Sequence, residues 1–145
     1  MKRWMPALMI GTVVLGACAS LDPTRSYVEP LRGNEGQQLG KAIVDYMTQA
    51  YPAANTTLLL VPPQDNQQDN PLIQALRSGL AQAGFAIAES PVNSGSGTHR
   101  LLYRVTVMDG VRTLRFSVDD TEITRVYTTD DSGALVPASF FSVRK

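Results

Sequence analysis

Two runs of alternating apolar and polar residues, separated by Asp109-Gly110, constrain this chain more than any other feature. Leu101, Tyr103, Val105 and Val107 alternate with Leu102, Arg104, Thr106 and Met108, and Leu114, Phe116 and Val118 continue the period beyond the turn. A period of two places each set on one face of a strand, and Asp-Gly tolerates positive φ, so an antiparallel hairpin is predicted. Asp119-Asp120 marks the next bend, Ile123 to Thr128 the next strand, and Asp130-Asp131-Ser132-Gly133 a further hairpin loop into Ala134 to Val136. Pro137 has no N–H to donate and confines that last pairing to an edge or an end. Phe140 to Val143 adds a final short strand, so the chain from His99 onward reads as a β-meander.

Upstream, the period becomes helical. Asn34 and Gln37 have capping-box spacing, and Leu39, Ile43, Tyr46, Met47 and Ala50 form an apolar stripe that Pro52 ends. The stripe is read as a core face before a partner-docking face. Thr56 to Val61 is β-prone, and its apolar run Leu58 to Val61 points to a central strand covered on both faces. Asn70 caps a second helix with Pro71 at its first position, a stripe of Leu72, Ile73, Leu76, Leu80 and Ala83, and Gly84 at its end. Phe85 to Glu89 follows as a strand parallel to the first. The expected fold is α+β: two helices packed on a mainly antiparallel sheet, in the order α-β-α-β and then a meander. Residues 34–145 suffice for one domain of ordinary size.

The beginning of the chain carries a different message. Lys2 and Arg3 precede Trp4 to Leu15, a mostly apolar stretch without formal charge, as in a secretory signal peptide, here residues 1–17. The stretch falls short of the roughly 20 apolar residues that span a bilayer. It ends Leu15-Gly16-Ala17-Cys18, which resembles the bacterial lipobox. The expected chemistry is diacylglycerol transfer to the Cys18 thiol, cleavage between Ala17 and Cys18, and acylation of the freed amine. Cys18 is the sole cysteine and has no internal disulfide partner. Two or more acyl chains anchor a protein stably. Ala19, where an Asp would signal retention at the inner membrane in similar lipoproteins, implies sorting to the outer membrane with the domain facing the periplasm. Residues 18–33, with Pro23, Pro30 and Gly33 and no apolar period, read as an extended tether, and Ala19 to Gly33 would reach roughly 50 Å at full stretch. Tyr27, Val28 and Leu31 are apolar for a spacer and are candidates for docking, first on the chain's own domain and second on a partner.

Composition bears on what the domain can do. Loss of Lys2 and Arg3 leaves 11 basic residues against 13 acidic ones, and Arg100, Arg104, Arg112, Arg115 and Arg125 lie scattered along strands among carboxylates. That pattern reads as solvated sheet faces, not as a nucleic-acid footprint, so no direct nucleic-acid contact is expected. His99 is the sole histidine, so no triad or metal set can be spaced, and no catalytic residue, metal or cofactor beyond the Cys18 lipid is expected. Asp119, Asp120, Glu122, Asp130 and Asp131 lack calcium-loop spacing and read as turn residues. Ser94-Gly95-Ser96-Gly97 leads into a strand, which leaves no helix N-terminus for a phosphate.

The lipobox, the length and the C-terminal segments together resemble the TrbH family of conjugal transfer lipoproteins. The segments are Tyr103-Arg104-Val105, Leu114-Arg115-Phe116-Ser117-Val118-Asp119, Arg125-Val126-Tyr127, Gly133-Ala134-Leu135-Val136-Pro137-Ala138 and Phe141-Ser142-Val143-Arg144. The resemblance implies a lipid-anchored, non-enzymatic scaffold in the mating-pair formation apparatus, a type IV secretion channel for plasmid DNA. It would stabilise the outer-membrane core by contact with other subunits, with no small-molecule substrate. Arg125, Tyr127 and Arg144 join the partner-contact candidates, beside an equal reading as strand-surface packing. The alternative function is a periplasmic regulatory or ligand-binding lipoprotein acting on another envelope protein.

Overall fold

The Asp109-Gly110 hairpin forms because both residues take positive φ, +49° and +80°, the backbone of a type I′ turn whose twist matches that of the strands it joins. The computed structural model describes residues 24–63, 67–90 and 95–145. The signal peptide, the lipobox and Cys18 lie outside the described residues.

The elements in chain order are β1 (Tyr27–Val28), α1 (Glu35–Ala50), β2 (Thr57–Leu60), α2 (Pro71–Gln82), β3 (Ala86–Ala88), β4 (Thr98–Met108), β5 (Val111–Val118), β6 (Thr121–Thr129), β7 (Leu135–Pro137) and β8 (Ser142–Arg144). One mixed sheet holds all eight strands in the order β3-β2-β4-β5-β6-β7, with β1 paired to β4 and β8 paired to β6. The α+β class, the parallel β2-α2-β3 unit and the antiparallel meander β4-β5-β6 are as expected from the sequence. Strand β2 lies inside the sheet between β3 and β4. It is not covered equally on both faces: Leu58 and Leu60 are buried and Leu59 is half-buried. Pro137 sits in the outer strand β7, where no N–H is required of it.

The tether reading gives way over residues 26–29. Tyr27 and Val28 pair in parallel with Arg104 and Val105, the Glu29 N–H donates to the Val105 carbonyl at 3.0 Å, and Val28 is 1% exposed. The reason lies in β4. Strand β2 covers only its first part, Thr98 to Leu101, and the remaining edge carries unpaired backbone groups that cost free energy unless satisfied. The segment before α1 supplies the missing partner. The Ser26 hydroxyl accepts the Tyr103 N–H at 3.2 Å, and Gln67 closes the outer side by donating to the Val28 carbonyl and accepting its N–H, at 2.7 and 3.1 Å. The domain thus begins before Asn34.

Both helices lie on one face of the sheet. Leu39, Ile43 and Met47 of α1 and Leu72, Ile73, Leu76 and Leu80 of α2 form one core with Leu58, Leu101, Tyr103, Val105, Leu114, Phe116, Val118 and Ile123. Each such side chain contributes about 1.5–3 kcal/mol when fully buried. Asn70 caps α2 as expected, accepting the Leu72 N–H at 2.9 Å. The capping box at α1 does not form: the Asn34 side chain makes no cap bond, and the Glu35 carboxylate instead accepts the Arg32 N–H at 3.0 Å. Glu35 is drawn inward by Arg112, to which it is paired.

The helices meet at small residues. A Cβ on Gly40 would stand 2.9 Å from the Leu72 carbonyl oxygen and 3.0 Å from the Ala75 Cβ, and one on Gly79 would stand 2.8 Å from Val44. An Ala at a helix interior normally gains about 1 kcal/mol over Gly. At Gly40 the obstacle is backbone, which cannot swing aside, so Gly40→Ala is expected to destabilise by about 1–3 kcal/mol. Urea unfolding checks the sign; a gain in stability would mean that the helices separate without cost.

Candidate functional site

Register sorts the arginines that composition leaves scattered. On β5, Arg112 points with Leu114, Phe116 and Val118 toward the helices, while Arg115 points with Thr113 and Ser117 to the other face. On β4, Arg100 and Arg104 share that other face with Leu102 and Thr106, opposite buried Leu101, Tyr103 and Val105. On β8, Arg144 pairs with Glu122 and joins them. Among the described residues no helix covers this second face. It therefore presents Arg100, Arg104, Arg115 and Arg144 with two acids, Glu29, whose carboxylate accepts the Val107 N–H, and Glu122, which lies 3.8 Å from Arg115 and 3.3 Å from Arg144.

Arg112 has a different fate. Its Nη2 donates to Glu35 Oε1 at 2.6 Å and its Nε to Oε2 at 3.3 Å, with side-chain exposures of 7% and 4%. A third bond runs from its Nη1 to the Gly110 carbonyl. This pair ties the start of α1 to the hairpin.

The partner-contact candidates do not converge. Val28 is core, and Leu31 packs half-buried against it. Tyr27 is half-buried on the uncovered face beside Arg104, and Arg144 is exposed there. Arg125 and Tyr127 lie on the helix side. The Arg125 guanidinium stands 4.6 Å from the Phe141 ring centroid and 5.5 Å from that of Tyr127, and its Nε donates to the Ser139 carbonyl at 3.0 Å. Tyr127 is 6% exposed; burial pushes its hydroxyl pKa up, against the lowering effect of Arg125. These two residues thus hold the C-terminal segment down from inside. Phe141 completes the attachment, with its ring 5.2 Å from Tyr46 and 6.2 Å from Phe116 in edge-on contacts. A groove of about 380 Å³ remains between α1 and this segment, lined by Lys41, Asp45, Gln49, Arg125 and Tyr127 among others.

Sequence reasoning missed the outward apolar residues of the same segment. Phe140 is 93% exposed, Val143 52% and Val136 39%. The Phe140-Phe141 pair held a sign of this, because neighbours on an extended chain face opposite ways.

His99 has a carboxylate beside it: Nδ1 lies 2.6 Å from Asp119 Oδ2, and the Tyr51 ring centroid is 5.4 Å away. Burial alone would raise the Asp119 pKa, but the His99 hydrogen bond and the Arg100 N–H outweigh it and hold the carboxyl below its usual value. Asp119 has φ +52° at the β5–β6 turn, so the contact fastens that turn to the start of β4. Asp130 behaves as a turn residue, its Oδ1 accepting from the Ser132 N–H and hydroxyl and the Ala134 N–H at 2.6–3.0 Å. Among the described residues no three His, Cys, Asp or Glu side chains gather as a metal site, and no helix is long and apolar enough to cross a membrane.

No curated protein and no solved structure matches this chain. A family model described as conjugal transfer protein TrbH matches residues 21–145, from ahead of β1 to the last residue after β8. That span takes in both helices and the whole sheet, and the chain accordingly belongs to the TrbH family of conjugal transfer proteins.

Proposed function

We propose that this protein is a lipid-anchored scaffold subunit of a conjugative type IV secretion complex, held at the outer membrane through acylated Cys18 with its domain in the periplasm. The observation that carries the reading is the reach of the family match, which begins at residue 21 and so takes in nearly all of the chain that follows the lipobox Leu15-Gly16-Ala17-Cys18. On this reading the matched domain follows directly on a lipid-bearing Cys18. The domain's surfaces suit assembly. Its outer strands β7 and β8 are short, and the exposed Val136, Phe140 and Val143 stand on or between them, an arrangement that another subunit's strand can extend. Its role is to stabilise the outer-membrane core by contact with neighbouring subunits, and not to catalyse a reaction.

The test uses donor cells. Radiolabelled palmitate is expected to mark the wild-type protein and not Cys18→Ala. Cys18→Ala is also expected to leave the outer-membrane fraction and to lower plasmid transfer sharply. Transfer unchanged by deletion, together with purified secretion complexes that lack the protein, would overturn the reading.

A further inference from the structure

We infer that the sheet face that no described helix covers lies against the anionic phospholipid surface of the membrane that holds the chain, with Arg100, Arg115 and Arg144 on lipid phosphates. The inference rests on acylation of Cys18 and adds an orientation to it. Three observations carry it.

The first is charge. The mature chain has two more acidic than basic residues, yet the four arginines of this face outnumber the acids on its strands, Glu122 and Glu29, by two. Arg115 and Arg144 side chains are 51% and 80% exposed. Guanidinium matches phosphate by paired hydrogen bonds. Tyr27 shares the face, and Tyr is enriched where apolar and polar layers of a bilayer meet.

The second is the exit of the chain. The Thr24 carbonyl accepts a hydrogen bond from Arg100 Nη2 at 2.9 Å, so the described chain begins beside this face and not on the helix side.

The third is length. Because residues 26–29 belong to the sheet, the distance that the chain from Cys18 to Thr24 can bridge is at most about 20 Å, not the roughly 50 Å of a fifteen-residue tether. Strand β4 alone has 11 residues and is about 35 Å long. The helix layer adds about 10 Å of thickness to a sheet already some 10 Å from it. Turning the helices to the bilayer would consume the whole link.

The lipidated mature chain is reconstituted in phosphatidylcholine vesicles, with and without one third phosphatidylglycerol. Acylated Cys18 leaves no other thiol, so Thr113→Cys on the uncovered face or Gln74→Cys on the exposed side of α2 accepts a single fluorophore. Headgroup-nitroxide lipid is expected to quench position 113 several-fold more than 74. The difference should shrink in 0.5 M salt, where screening shortens the range of charge, and in Arg115→Gln/Arg144→Gln, two exposed residues outside the core. Equal quenching at both positions, stronger quenching at 74, or indifference to lipid charge, salt and both arginines overturns the inference.

Should intact mass show Cys18 unmodified, the anchor reading fails separately. Sedimentation of that unmodified chain with vesicles then reads the face by itself. Two net charges predict partition on the order of thirtyfold stronger to the anionic vesicles, and equal partition overturns the inference.

Discussion

Replacing Arg112 by Gln is expected to lower the unfolding free energy by about 3–5 kcal/mol, the cost of leaving a buried ion without its counterion. Glu35 and Arg112 are almost fully enclosed. Without the guanidinium, the Glu35 carboxylate keeps only the Arg32 N–H among its described bonds. Two structural links go with the pair, since it joins the first turn of α1 to β5 and, through Gly110, to the hairpin. The doubly apolar variant Glu35→Leu/Arg112→Leu separates the two terms. A buried pair spends desolvation energy that apolar residues of similar volume do not, so the double variant should recover most of the loss. Urea unfolding of the two variants beside the parent at neutral pH is the measurement. A loss below about 1 kcal/mol for Arg112→Gln would mean that water reaches the pair and that it behaves as a surface contact.

Val28→Asp is the second large effect. In a tether the change would be silent. In this structure Val28 lies within the core beside Val105, and an aspartate there must be buried without a partner, be protonated, or pull β1 off the sheet. Each outcome costs several kcal/mol. Loss of β1 would also release the Tyr103 N–H from Ser26 and the Val107 N–H from the Glu29 carboxylate. Hydrogen exchange at Tyr103 and Val107 is therefore expected to accelerate together with a fall in global stability. Unchanged stability and unchanged exchange would mean that residues 26–29 are not built into the domain, and would restore the longer tether.

How much of this was legible beforehand depends on how local each cause is. The Asp109-Gly110 turn, the Asn70-Pro71 helix start and the alternation along β4 and β5 are set by φ preferences, a single side-chain bond and the two-residue period. Each acts within a few residues, so each is legible in the sequence. The capping box expected at Asn34 does not form, and its neighbour Glu35 answers to Arg112, 77 positions away. The arginines were half legible. Arg112 keeps phase with Leu114, Phe116 and Val118, and Arg125 with Ile123 and Tyr127, so inward orientation was open to inspection. What awaited them inside was not: one meets a carboxylate, the other two aromatic rings.

The α+β class, the helix faces, the meander and the resemblance to the conjugal transfer family follow from the order of residues alone, because periodicity, turn chemistry and motif spacing are written along the chain. Folding in three dimensions settles that residues 26–29 complete the edge of β4, that Arg112 is buried while Arg100, Arg104, Arg115 and Arg144 share the face that no described helix covers, and that Arg125 and Tyr127 clamp the C-terminal segment. These depend on which backbone edge is left unpaired and which face the helices cover, conditions that exist only once distant segments have come together.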